Sequence, residues 1–61
     1  MRLRYIQCMD FVFEEVETPE YSDISKLSKA IKDGDIIKVK ATDGAVDYVN
    51  GNYIMYVGVY E

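Results

Sequence analysis

The sequence predicts an α+β fold: a small antiparallel sheet of about four strands with one helix packed on a face, in the order β-α-β-β-β. Three features of the chain lead there. One segment carries apolar residues at helical spacing. Several short stretches alternate apolar and polar residues, or are apolar throughout. Turn residues stand between the later stretches. At 61 residues the chain is one domain, 1–61. It buries only about 60% of its unfolded surface, so one sheet and one helix fill it.

Residues 2–9 have apolar groups on both parities. Leu3, Tyr5 and Met9 fall on one, Ile6 and Cys8 on the other. An interior strand accounts for this. Phe11, Val12, Phe13 and Val16 follow, and no Gly, Pro or Asn occurs between Met1 and Glu17. The simplest expectation is one long bent strand with a bulge near Met9-Asp10. Two strands joined by an unsignalled turn are the alternative.

Pro19 ends that strand, because it cannot donate to a ladder and disfavours helix at Thr18. The spacing of Ile24, Leu27, Ala30 and Ile31 predicts a helix over 23–33, with Ser22 as N-cap. Gly34 is placed to close it in a left-handed conformation. From Asp35 to Thr42, Ile37, Val39 and Ala41 alternate with Lys38 and Lys40, a strand with one buried face. Asp43-Gly44 and Asn50-Gly51 are hairpin signals on either side of a short strand, Ala45 to Val49.

The last stretch, Tyr53 to Tyr60, is apolar on both faces. Successive hairpins place it beside 45–49, and pairing with the first strand would make it central. A small SH3-like barrel is the competing arrangement.

Composition narrows the chemistry. The chain has no histidine, so the usual general base and metal ligand near neutral pH is missing. Its one cysteine, Cys8, excludes an internal disulfide and fits a small buried residue better than a reactive thiol. Glycines at 34, 44, 51 and 58 lack the spacing of a phosphate-binding loop. No cofactor, metal or small-molecule substrate is expected. No apolar run reaches about 18 residues, so no membrane span is expected either. Met1 to Tyr5 does not resemble a secretory leader, and the expected compartment is the cytoplasm.

Net charge is −4, unevenly spread. Asp10 to Asp23 holds six acids and no base, and Lys26 to Lys40 holds five lysines. Glu14, Glu15 and Glu17 suit a solvated acidic strand end that deters aggregation, or a surface offered to a partner. Six tyrosines are the compositional outlier. They suit half-buried sheets, and they are also enriched in recognition surfaces.

The function expected from these features is a non-enzymatic protein-interaction module, a small acidic regulator or inhibitor of bacterial or phage type. It would act through a tyrosine-rich sheet face or edge on another protein or on itself, as a homo-oligomer. Candidate contact residues are Tyr53, Ile54, Tyr56, Gly58 and Tyr60, with Glu14, Glu15 and Glu17. Met55, Val57 and Val59 are expected to pack on the helix, Tyr56 and Tyr60 to face away, and the gap at Gly58 to admit a partner. The second expectation is a small nucleic-acid-binding module using Arg2, Arg4 and the lysine face. The acidic balance weighs against it, since phosphate binding needs cations.

Overall fold

The computed structural model describes residues 1–60. Its elements are β1 (Arg2–Cys8), β2 (Val12–Glu17), α1 (Ile24–Lys32), β3 (Ile36–Ala41), β4 (Val46–Asn50) and β5 (Ile54–Gly58), with a one-turn 3₁₀ helix at Gly51–Tyr53. The α+β class holds, with five antiparallel strands ordered β4-β3-β2-β1-β5.

The N-terminal stretch is two strands rather than one. Met9 and Asp10 form a tight turn closed by the Cys8 N–H donating to the Phe11 carbonyl at 2.8 Å. Neither residue takes a positive φ, so the turn is not of the Asn-Gly kind. The Gln7 amide holds it instead, donating to the carbonyls of Cys8 and Phe11.

Leu3 and Ile6 are both fully buried although three apart, and Val16 and Phe13 face them across the ladder. Side chains three apart in a flat strand point to opposite faces. The hairpin therefore rotates between these pairs, and Glu15 at φ +53° supplies the corner. Beyond it, β2 pairs with β3 only at Val16–Ala41 and Glu17–Lys40. The β3–β4 hairpin thus joins the rest of the sheet through two residue pairs, and both parts contribute to one core. The end strands of the sheet, β4 and β5, are not paired, so it stays open.

Asp23, not Ser22, caps α1: its carboxylate accepts the Lys26 N–H at 2.9 Å and the Ser25 hydroxyl at 2.6 Å. Gly34, at φ +74°, ends the helix as expected. Its N–H donates to the Ile31 carbonyl and the Asp35 N–H to the Ala30 carbonyl, the two hydrogen bonds of a Schellman motif. Leu27 and Ala30 enter the core with Leu3, Ile6, Cys8, Val16, Ile37, Val39 and Val49. Ile24 does not: it is 42% exposed on the rim of the helix.

The β3–β4 hairpin forms as predicted, with a three-residue loop rather than two. The Ala41 N–H bonds the Ala45 carbonyl, and Gly44 sits in the left-handed position at φ +91°. The second hairpin does not form. Asn50 instead caps the 3₁₀ turn by accepting the Asn52 N–H, and the Gly51 N–H donates to Asp35. Gly51 lies against the backbone of Ile31, where a β-carbon would come within 2.8 Å of the Ile31 Cα and carbonyl oxygen. The chain thus passes along the end of α1 and reaches the far side of β1. Strand β5 is an edge, not a central strand.

Candidate functional site

Strand β5 pairs with β1 through Tyr5–Gly58, Ile6–Val57 and Gln7–Tyr56, then slips by one residue so that Cys8 faces Ile54. Met55 is the extra residue of a β-bulge. The slip explains the apolar residues on both parities. Ile54 and Val57 are three apart, yet both turn inward and pack on the core. Each parity set therefore splits, against the expectation that Met55, Val57 and Val59 would pack together on the helix. Met55 is 56% exposed. Tyr56 faces outward as expected and is 63% exposed.

Gly58 is not an opening for a partner. The ring of Tyr5 lies across it, so close that a β-carbon there would overlap the ring. An aromatic side chain covering a cross-strand glycine restores contacts that the missing side chain lacks. The Arg4 guanidinium stands 5.5 Å from the centre of that ring. Tyr53 belongs to the 3₁₀ turn and not to the strand, and its side chain is exposed.

Two surfaces flank β5. On one side an apolar groove runs between strand and helix, lined by Ile24, Ile31, Met55, Val57 and Val59, with Ser28 and Lys32 on the helix side. Tyr56 reaches this groove and, on the outer face, also borders a shallow cleft with Arg4, Tyr5, Val12 and Glu14. Between them lies the free backbone edge. An edge strand leaves half of its N–H and C=O groups without sheet partners.

The three glutamates do not act as one set. Glu14 stands opposite Tyr5 in the ladder. Glu15 accepts a hydrogen bond from the Tyr60 hydroxyl and lies 3.6 Å from the Arg2 guanidinium. That bond to a carboxylate raises the Tyr60 pKa above its ordinary 10.0. Glu15 and Tyr60 thus fasten the segment after β5 across the hairpin, so Tyr60 is held by its own chain. Glu17 lies between Arg2 and Lys40 in the ladder.

The lysines do not form one face. Ile37 and Val39 point into the core, so Lys38 and Lys40 point away from it on β3. Lys26, Lys29 and Lys32 lie on α1, on the other side of that core, and Lys29 is paired with Asp33 at 2.8 Å. Cys8 is buried, and burial raises its thiol pKa. Among the described residues no three His, Cys, Asp or Glu side chains gather as metal ligands. No helix there is long and apolar enough to cross a membrane.

Sequence reasoning located the strand that carries this surface but missed the groove residues Ile24, Ile31 and Lys32. The exposed Ile24 was open to notice, since it begins the apolar stripe in the first turn of a short helix. Comparison with known proteins gives no match to this chain, whether among family models, curated proteins or solved structures.

Proposed function

We propose that this chain is a non-enzymatic protein-interaction module, a small acidic regulator or inhibitor that holds another protein chain along the β5 edge. One observation carries the reading. The edge strand with the turn before it and the two residues after it, Gly51 to Tyr60, contains no charged residue, although nearly a third of the chain is charged. Soluble proteins blunt exposed edges with charge, proline or cover. This edge has only the bulge at Met55 to blunt it, beside a groove of exposed apolar side chains.

A strand added to a sheet edge gains backbone hydrogen bonds, and alternate side chains reach the two faces. Here one set would meet the groove of Met55, Val59 and Ile24. The other would meet Tyr56, with Arg4 and Glu14 beside it. Tyrosine in such a position contributes area with few rotatable bonds, which suits a recognition anchor.

The test is site-specific photo-crosslinking in cells. A benzophenone side chain at position 56 should give a discrete cross-linked protein product, and one at position 48 on β4 should not. Products at 48 and none at 56 would overturn the assignment of the site.

A further inference from the structure

We infer that the chain held at the β5 edge is a second copy of this protein, related to the first by a two-fold axis and meeting it through β5 and the β5–α1 groove. This inference rests on the interaction reading above and names its partner.

Charge is the first argument. Two copies each carry −4, so they repel. Contact between them is least opposed where a surface carries little charge, and the ten residues from Gly51 to Tyr60, which form the turn, β5 and its end, carry none. A foreign partner selected by charge would need complementary groups to read. The groove offers Lys32 alone, and the outer cleft offers charges of both signs, Arg4 with Glu14 and Glu15, rather than a field of one sign. The strand itself therefore suits an uncharged partner strand, and β5 of a second copy has that chemistry. The opposite edge differs, because β4 carries Asp47 within its strand.

Symmetry is the second. A two-fold axis sets β5 antiparallel to its copy, the arrangement that every other strand pair of this sheet already uses. An isologous contact also uses each exposed group twice.

Area is the third. Tyr53, Tyr56, Met55, Val59 and Ile24 are 57%, 63%, 56%, 38% and 42% exposed. With whole aromatic side chains offering ~150–250 Å², these five expose about 500 Å² per copy. That lies just under the ~600 Å² per partner at the lower end of stable interfaces, before any backbone contact is counted. A dimer held this way should dissociate in the micromolar range.

Sedimentation velocity on the full chain between about 1 and 100 µM tests this. The wild type should pass from monomer to dimer over that range. Met55→Lys should stay monomeric at the top concentration with an unchanged circular dichroism spectrum, its dimer weakened at least tenfold. Tyr48→Lys, on the other edge, should dimerise like the wild type. If Met55→Lys fails to fold, Val59→Lys reads the same contact.

A wild-type monomer at 100 µM overturns the inference. So does a dimer that survives Met55→Lys and Val59→Lys but is lost in Tyr48→Lys. A wild-type monomer that still cross-links from position 56 to a different protein leaves the interaction reading standing and removes only the second copy. A monomer with no cross-link from position 56 removes both.

Discussion

Gly51→Ala tests the route by which the chain reaches the edge strand. The new β-carbon would lie 2.8 Å from both the Cα and the carbonyl oxygen of Ile31, and 3.2 Å from the carbonyl oxygen of Ala30. Non-bonded carbon contacts prefer about 3.5–4.0 Å, so the turn must move off the helix by close to an ångström. The obstacle is backbone, which cannot swing aside. Overpacking of this kind costs about 1–3 kcal/mol. Gly51 has no positive φ, so alanine also gains ~0.4–1 kcal/mol from a less flexible unfolded chain. The expected net loss is roughly 1–2 kcal/mol, a large share of what a domain of this size commands.

Urea unfolding followed by circular dichroism reads it directly. Gly51→Asn sharpens the test, because asparagine is well tolerated in a hairpin turn but is bulkier against the helix. Stability should therefore fall in the order Gly, Ala, Asn. A neutral Gly51→Ala, or an asparagine variant as stable as the wild type, would mean that residues 50–52 form an ordinary hairpin and that β5 lies beside β4.

Three further outcomes follow from the same geometry. At position 15, glycine should give a more stable protein than alanine by about 1 kcal/mol in urea melts, because a β-carbon in the left-handed region costs ~1–2 kcal/mol; alanine equal to glycine would remove the corner at Glu15. Leu27→Ala should cost about 2–5 kcal/mol while Ile24→Ala costs under ~1, since only Leu27 is enclosed; comparable losses would place Ile24 in the core. The Asp23 carboxyl is held below its ordinary 3.8 by the Ser25 hydroxyl and the Lys26 N–H. A lowered native value means that its contribution is complete above 3.8 and is lost as pH falls through that lower value. Asp23→Asn should flatten the wild type's acid destabilisation in that window, and an unchanged acid limb would deny Asp23 its capping role.

How much of this was legible in the sequence varied with the origin of each feature. Helix α1 and its Gly34 terminus were readable because both are local: an apolar stripe and a glycine that must adopt positive φ. The β3–β4 hairpin was readable for the same reason. The Met9-Asp10 turn was not, because its holding group is the Gln7 side chain acting on neighbouring carbonyls, with no turn residue to mark it. Asn50-Gly51 did mark a change of direction, but a turn signal does not say which strand comes next. That was decided by Gly51 fitting against Ile31, a contact twenty residues apart. The two apolar parities of β5 suggested a central strand, but their cause is different. A bulge at Met55 turns Ile54 and Val57 inward together, and no periodicity reveals a bulge before the partner strand is known. Gly58 looked vacant because its occupant, Tyr5, comes from the other end of the chain.

Concentration-dependent amide hydrogen exchange tests the central claim, that β5 presents a free edge for another chain. At about 1 µM, the β5 amides that point away from β1 should exchange rapidly while those bonded to it stay protected. At about 100 µM, or with the cross-linked partner present, the outward amides of β5 should gain protection and those of β4 should not change. Outward β5 amides already protected at 1 µM, or protection gained at β4 alone, would contradict the account.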